Sequence, residues 1–141
     1  MLLVDVNVLV YAHRERSPDH ERYREWLLRM MGSEDYAMSE LALSGFVRVV
    51  TNRRGSADPT PLDVALQAAD DVMSRPNCRT LRPGPRHWRI FNWLCRDINA
   101  TGNDVADAYH AALAMEWGCE WISTDKGFAR FKGLRWRHPL N

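Results

Sequence analysis

The chain has 141 residues, of which 45% are hydrophobic and 26% charged, and its formal net charge at pH 7 is +1. This size and composition are typical of one globular domain, so we expect a single domain over residues 1–141. The balanced charge argues against a nucleic-acid binder that depends on bulk electrostatic attraction. No apolar run approaches the roughly 18 residues of a membrane span, and we expect a cytoplasmic protein that makes no membrane contact.

Strands and helices are predicted to alternate along the chain. The first strand is the apolar run 2–4, which ends at Asp5. Residues 6–13 are interpreted as a connection that leads from this strand to a helix. Ser17 and Pro18 predict the start of that helix, with serine as the N-cap and proline at the first helical position. A short strand is expected after it.

Further helix starts are predicted in the middle of the chain. Ser39 is expected to cap a helix with Glu40 in its first turn. After a loop that includes Gly55 and Ser56, the segment 60–63 resembles a capping box in which aspartate replaces the usual glutamate. The remaining predicted elements are a weak strand at 79–81, an amphipathic helix at 85–98, a helix at 103–118 capped by Asn103 and Asp104, an apolar strand at 120–124, a helical turn at 127–131 and an edge strand at 134–136.

This alternation predicts the fold class. Strands that are separated by helices imply right-handed crossovers between parallel strands. A parallel sheet of this kind carries helices on both of its faces. We therefore predict an α/β fold in which a central parallel sheet lies between two helical layers.

Five acidic residues are candidates for a functional site. Asp5 and Asp125 each follow an apolar strand directly, and open α/β sheets bind ligands just beyond the carboxyl ends of their strands. Glu40, Asp104 and Asp107 lie near helix starts, where acidic residues are favoured by the helix dipole alone. That explanation suffices for Asp104, whereas the alanines that follow Asp107 would allow its helix to pack close to the sheet.

Clustered carboxylates indicate a particular chemistry. They repel one another unless a cation compensates them or protons are retained. The chain offers oxygen ligands, its three cysteines lack metal-binding spacing, and this combination favours Mg²⁺ or Mn²⁺. Such ions activate water and stabilise both oxygens of a phosphodiester displacement. Asn7 could hold the Asp5 carboxylate in place, and the residues together predict metal-dependent phosphoryl chemistry.

Several segments occur in the order of the PIN domain, and the chain resembles the VapC-type ribonuclease toxins of bacterial type II toxin–antitoxin pairs. These segments are Asp5-Val6-Asn7-Val8-Leu9, Ser39-Glu40, Asp107-Ala108 with Ala111-Ala112-Leu113-Ala114, and Ser123-Thr124-Asp125-Lys126-Gly127-Phe128. The resemblance implies a PIN-like sheet of about five strands and an Mg²⁺- or Mn²⁺-dependent endoribonuclease that cleaves tRNA, rRNA or mRNA. It also implies a homodimer within a complex with a cognate VapB-type antitoxin.

The resemblance carries over to individual positions. The four acidic positions of the family are matched by Asp5, Glu40, Asp107 and Asp125, which are the expected catalytic residues and metal ligands. Asn7 and Thr124 match the polar residues that support them. Asp104 falls where relatives often carry a non-acidic residue, and His110 stands where leucine is common. His110 is interpreted as a partly buried core residue, with proton transfer in the site as the alternative.

Arginines and tryptophans on the helices allow two interpretations each. The arginines are either solvated side chains or contacts to the RNA or the antitoxin, and they are Arg48, Arg53 and Arg54. The tryptophans are expected in the core or at a dimer interface rather than as base-stacking platforms, and they are Trp26, Trp88 and Trp93.

Two other functions were weighed against the ribonuclease. A phosphoacceptor domain of the receiver type also places acids at strand ends, but Asp35 precedes its strand rather than following one. A catalytically silent PIN-like binding module is the second alternative, and the presence of all four matched acids argues against it.

Overall fold

The computed structural model describes residues 1–54 and 57–141, so Gly55 and Ser56 of the predicted loop lie outside the described residues. The strands are β1 (Leu2–Val4), β2 (Tyr36–Ser39), β3 (Cys78–Leu81), β4 (Glu120–Ile122) and β5 (Trp136–Arg137). The helices are α1 (Val6–His13), α2 (His20–Ser33), α3 (Glu40–Thr51), α4 (Leu62–Met73), α5 (His87–Ile98) and α6 (Asn103–Glu116), and a 3₁₀ helix spans Lys126–Arg130.

The strands form one parallel sheet in the order β3-β2-β1-β4-β5. The chain winds outward from β1 to β3 and then crosses back to β4 on the other side of β1. The winding direction therefore reverses between β1 and β4, and the crevice beyond the strands at such a switch point is the usual ligand site of an open α/β sheet. Val4 pairs with Ile122 in this register, so that Asp5 and Ser123 leave the sheet side by side.

Helices cover both faces of the sheet, which confirms the predicted three-layer α/β/α arrangement. Val4 and Ile122 belong to a core beneath α1 to α4, whereas Leu3 and Trp121 belong to a second core beneath α5 and α6. Neighbouring strand residues divide in this way because successive side chains point to opposite faces. Four of the five alanines of α6 are fully buried, which confirms that this helix packs closely on the sheet, and they are Ala108, Ala111, Ala112 and Ala114.

The first two helices differ from the prediction. Residues 6–13 are not a connection but helix α1, which begins directly after Asp5 because that side chain accepts the N–H of Val6 at 2.7 Å. The sequence did not indicate this helix, because valine alternates with other residues at positions 6, 8 and 10 and this pattern is typical of strands. Helix α2 begins at His20 rather than at Ser17, and its N-cap Asp19 has a left-handed φ of 58°.

The predicted helix caps had mixed outcomes. Ser39 caps α3 as expected, since its hydroxyl accepts the N–H of Ala42 at 3.0 Å. The capping box at α4 was wrong, because the hydroxyl of Thr60 lies 3.0 Å from His13 Nε2 instead. Asn103 and Asp104 do not cap α6, whose N-cap is Gly102 with a φ of 56°.

The last strand begins later than predicted, and two of the three tryptophans lie outside the core, so that their placement at a dimer interface stays a prediction. The edge strand β5 lies two residues later than its predicted start, at Trp136–Arg137. Trp26 is buried as expected, whereas Trp88 is 68% exposed and Trp93 is 49% exposed, so neither contributes to the core of this chain. In the part of the chain that the structure describes, no helix has the length and apolar character needed to cross a membrane.

Candidate active site

Asp5 lies at the centre of the carboxyl edge of the sheet. Its side chain is only 7% exposed and accepts three hydrogen bonds. Oδ1 accepts the N–H of Val6 at 2.7 Å, and Oδ2 accepts the Ser123 hydroxyl at 2.6 Å and the Asn7 amide at 3.1 Å. The predicted support from Asn7 is therefore a direct contact. All three donors are neutral, so they orient the carboxylate without compensating its charge.

Burial raises the pKa of the Asp5 carboxyl to about 6. This value includes smaller upward contributions from the negative charges of Asp107 and Asp125, and the hydrogen bonds from Ser123 and Val6 oppose the rise. The structure thus brings three of the predicted acids into electrostatic contact. A buried carboxylate among like charges is stabilised by a proton or by a bound cation.

Ser123 organises this corner of the site, although the sequence pointed to its neighbour Thr124. Its fully buried hydroxyl donates to Asp5 and accepts from the Asn7 amide at 3.2 Å and the Asp125 N–H at 3.0 Å. One donor and two lone pairs are all that a hydroxyl possesses, so its hydrogen-bonding capacity is full. Thr124 contributes its backbone N–H, which donates to Asn7 Oδ1 at 3.3 Å. The sequence feature that could have identified Ser123 as a site residue is its position directly after an apolar strand.

Asp107 and Asp104 are both paired with Arg130, a residue that the sequence did not indicate. Arg130 Nη2 lies 2.9 Å from Asp107 Oδ2 and 3.1 Å from Asp104 Oδ1. Asp104 also accepts the N–H of Thr101 at 3.3 Å. Asp104 is therefore an ion-pair partner in the site rather than the helix cap that its position suggested.

Glu40 points to a different partner. Its Oε1 accepts from Arg82 Nε at 2.7 Å, and both side chains are exposed. The hydrogen bond from Arg82 and its positive charge lower the pKa of Glu40. The acids that shift the pKa of Asp5 are Asp107 and Asp125, so Glu40 shares the edge of the sheet with them without belonging to this coupled group.

A cleft of about 1030 Å³ opens beside Glu40, the one candidate acid in its lining among the described residues, and its walls also include Arg48, Arg82, Tyr109 and His110. Burial lowers the pKa of His110, whose ring stacks on Trp121 at 5.3 Å between centroids. His110 Nδ1 is buried without a hydrogen-bond partner. The partly buried interpretation of this histidine is therefore supported.

The arginines proposed as contacts occupy different places. Arg48 is exposed on α3 and lines the cleft, where an extended ligand could meet it. Arg53 and Arg54 are exposed beyond the end of α3 and do not line the cleft, and the backbone N–H of Arg54 donates to Asn52 Oδ1 at 2.9 Å. Of the three, only Arg48 is close to the candidate site.

The donors of the site suit a hard divalent cation. Asp5, Asp107 and Asp125 supply only carboxylate oxygens, the ligand type that Mg²⁺ and Mn²⁺ prefer. Across residues 1–54 and 57–141, however, no three His, Cys, Asp or Glu side chains stand in an arrangement that could hold a metal ion. Arg130 pairs with Asp107, and Arg82 pairs with Glu40.

Comparisons with known proteins were consistent in sequence and in structure. The family model of the PIN domain matches residues 2–134. Ribonuclease VapC43 of Mycobacterium tuberculosis is 50% identical over 142 residues, which cover 100% of this chain and 97% of that protein. Ribonuclease VapC25 of the same species is 36% identical over 140 residues, with 99% of each chain covered.

Solved structures match the fold at low sequence identity. VapBC2 from Rickettsia felis, solved with a DNA fragment from its promoter, gives a TM-score of 0.72 at 16% identity and covers 97% of each chain. VapC20 of Mycobacterium tuberculosis, described as a sarcin–ricin loop cleaving toxin, gives 0.66 at 18% identity and covers 96% of this chain and 99% of that one.

Proposed function

The chain belongs to the PIN domain family, and on that basis we propose that it is a metal-dependent endoribonuclease toxin of a bacterial type II toxin–antitoxin module. It acts in the cytoplasm as a single domain and hydrolyses phosphodiester bonds in tRNA, rRNA or mRNA. The observation that carries the proposal is the electrostatic coupling of Asp5, Asp107 and Asp125 at the switch point of the sheet. The ribonuclease relatives that match over the full chain support the same activity.

Asp5, Asp107 and Asp125, with Glu40 at the rim, are proposed to hold Mg²⁺ or Mn²⁺. Such an ion would activate water and stabilise the charge that develops on the phosphodiester oxygens. Ser123 and Asn7 keep Asp5 Oδ2 in a fixed position through bonds of 2.6 and 3.1 Å. A fixed carboxylate lowers the reorganisation that catalysis requires.

The cleft beside Glu40 is proposed to receive the RNA strand. Arg48 and Arg82 in its walls offer positive charge to a phosphate, and Tyr109 offers an aromatic surface. Sequence-selective RNA recognition uses unpaired bases and local shape. A nearly neutral chain with a cleft of this kind is suited to single-stranded RNA or an exposed loop.

A VapB-type antitoxin and a second copy of the chain are the proposed protein partners. Solved structures of the same fold include VapBC-1 from nontypeable Haemophilus influenzae and FitAcB from Neisseria gonorrhoeae. Trp88 and Trp93 are exposed on α5, and aromatic side chains are enriched in protein–protein interfaces. These surfaces are where we expect the partners to bind.

Cleavage of RNA by the purified protein tests the activity. We expect cleavage in the presence of Mg²⁺ or Mn²⁺, its loss with EDTA, and its loss in Asp5→Asn. Asp63→Asn is the matched control, because Asp63 lies in the first turn of α4, outside the site. Cleavage that persists both with EDTA and in Asp5→Asn would refute the proposal.

A catalytically silent PIN-like module is the competing function. The ion pairs that Arg82 and Arg130 make with Glu40 and Asp107 favour it, because they engage two of the four proposed ligands. Calorimetric titration with Mn²⁺ separates the two, since a silent module would show no binding that depends on Asp5. The receiver-type alternative is excluded by the PIN family match and by a strand order that differs from 2-1-3-4-5.

A further inference from the structure

Arg130 connects the two segments that carry acids of the candidate site. Its Nη2 contacts Asp107 Oδ2 at 2.9 Å and Asp104 Oδ1 at 3.1 Å, both on α6. Its Nη1 donates to the carbonyl of Gly127 in the 3₁₀ helix. The N–H of Gly127 donates in turn to Asp125 Oδ1 at 2.8 Å. One guanidinium therefore links Asp107 to Asp125 through a continuous set of hydrogen bonds.

The guanidinium is held in place from a third side. Its central carbon lies 4.5 Å from the centre of the Phe131 ring, and the Arg130 side chain is 28% exposed. A cation over an aromatic face gains most when it is removed from solvent. The planar fork of arginine can bind several acceptors in fixed directions, whereas lysine presents a single flexible point charge. Arg130 is therefore a rigid connection rather than a solvated surface charge.

Gly127 gives independent evidence that the segment is built around this contact. A Cβ at residue 127 would lie 2.8 Å from Arg130 Nη1 and 2.9 Å from Asp125 Oδ1. Real Cβ atoms do not approach other atoms this closely, so a side chain here would push either group away. The absence of a side chain allows Arg130 to reach the C=O of Gly127 while Asp125 accepts the N–H of the same residue.

We propose that Arg130 is a positioning residue that fixes Asp107 and Asp125 relative to each other for metal binding. This inference rests on the proposed function. Arg130 occupies Oδ2 of Asp107 and leaves Oδ1 without a hydrogen bond among the described residues. Carboxylate ligands are commonly oriented by such outer hydrogen bonds, whose loss lowers metal affinity or activity by about 10–100-fold.

Asp104 has a separate part in this arrangement. It shares Nη2 of Arg130 with Asp107, and its side chain is 42% exposed compared with 28% for Asp107. Asp104 thus anchors the guanidinium from the solvent side. It is an anchor for Arg130 rather than a metal ligand.

The test measures Mn²⁺ affinity by calorimetry or electron paramagnetic resonance, together with kcat and KM for RNA cleavage. Arg130→Met is expected to weaken Mn²⁺ binding about 10–100-fold and to lower kcat while KM stays close to the wild-type value. Arg130→Lys restores part of the loss, because lysine reaches one acceptor but not the whole set. Asp104→Asn produces a smaller loss than Arg130→Met, and Gly127→Ala resembles Arg130→Met.

Lys132→Met is the matched control, since Lys132 lies in the same segment and pairs with Asp97 at 3.5 Å. Wild-type Mn²⁺ affinity in folded Arg130→Met would overturn the proposal, and so would tighter binding, which would make Arg130 a competitor of the metal. If Arg130→Met does not fold, Mn²⁺ affinity and cleavage kinetics are measured on Arg130→Lys and Asp104→Asn instead. Wild-type values in both of these variants would overturn the proposal.

A structural readout keeps this inference separate from the proposed function. A crystal structure of Arg130→Met, or of Arg130→Lys, should show the Asp107 and Asp125 carboxylates displaced relative to Asp5. Unchanged positions would overturn the positioning role whether or not the wild-type protein binds metal. Failure of the proposed function gives a different result: the wild-type protein and Asp5→Asn would show the same Mn²⁺ binding and the same RNA cleavage.

Discussion

At the scale of single residues, Asp5 combines burial with neighbouring negative charge. Its three hydrogen-bond donors are neutral, and the charges of Asp107 and Asp125 raise its pKa in the same direction as burial does. Perturbed carboxyl groups of this kind concentrate at functional sites. The buried, charged form of this residue therefore lowers the stability of the folded chain.

Asp5→Asn removes a buried charge but also weakens the hydrogen bonds that the carboxylate accepts from Val6, Asn7 and Ser123. We therefore expect a difference in the free energy of unfolding between the variant and the wild type that changes with pH. A rise of the folded-state pKa from 3.8 to about 6 corresponds to roughly 3 kcal/mol of lost stability above pH 6. Between these two values the folded wild-type protein binds more protons than the unfolded chain, so its stability recovers as the pH falls. The free energy of unfolding of the variant minus that of the wild type is thus highest above pH 6 and falls toward pH 4.

Urea unfolding of both proteins at several pH values in metal-free buffer measures this difference. Groups other than Asp5 titrate in both proteins and cancel in the comparison. A difference that stays constant from pH 8 to pH 4 would show that the pKa of Asp5 is not raised.

At the scale of elements, the end of α6 fixes the start of α5. The Glu116 side chain is 5% exposed and accepts the N–H groups of Gly84 at 2.7 Å and Arg86 at 2.9 Å. Arg86 donates back to the Glu116 carbonyl at 2.7 Å. A Cβ at residue 84 would lie 2.8 Å from Glu116 Oε2, so only glycine allows this approach. The contact holds α5 against the helix that carries Asp107.

Glu116→Gln is expected to destabilise the protein by about 1–3 kcal/mol, because the amide can accept one of the two N–H groups and leaves the other unpaired. The measurement is urea unfolding at pH 7, where Glu25→Gln on the exposed face of α2 serves as the control. Equal unfolding free energies for the two variants would contradict this role of Glu116.

At the scale of the whole molecule, positive and negative charges nearly cancel, while two arginines lie together in the walls of the cleft. Nineteen Lys and Arg residues oppose 18 Asp and Glu residues, so the molecule has little long-range attraction for a polyanion. Positive charge in the cleft comes from Arg48 and Arg82, and Arg82 is already paired with Glu40. RNA binding should therefore depend on a small number of arginine contacts and only weakly on salt.

Arg48→Ala is expected to raise KM for RNA and to reduce the salt dependence of binding. Loss of one phosphate contact lowers the slope of log affinity against log salt by about 0.7 for a single strand. Fluorescence anisotropy with a labelled RNA and Asp5→Asn protein, which should not cleave it, measures the slope. Arg24→Ala on α2, outside the cleft, is the control, and identical slopes for both variants would rule out contact between Arg48 and RNA.

The sequence by itself determined the α/β class and the edge of the sheet at which acids collect. Apolar strands that end at Asp5 and near Asp125 are local patterns, and parallel strands necessarily present their carboxyl ends at one edge. The Ser39 cap is also a local pattern, because the N–H that its hydroxyl accepts belongs to Ala42 in the same helical turn. The assignment of the four acids as metal ligands stays a prediction.

Only the tertiary structure decided which groups surround those acids. Ser123 meets Asp5 across 118 positions of sequence, Arg82 meets Glu40 across 42, and Arg130 meets Asp107 across 23. No periodic pattern records such distant pairs, since they depend on strand order and on the packing of helices over the sheet. The two aspartates that end strands can be identified from the sequence. The contact of Ser123 with Asp5 depends on β4 lying beside β1, and the contact of Arg82 with Glu40 depends on β3 lying beside β2. The contact of Arg130 with Asp107 depends on where the 3₁₀ helix lies relative to α6.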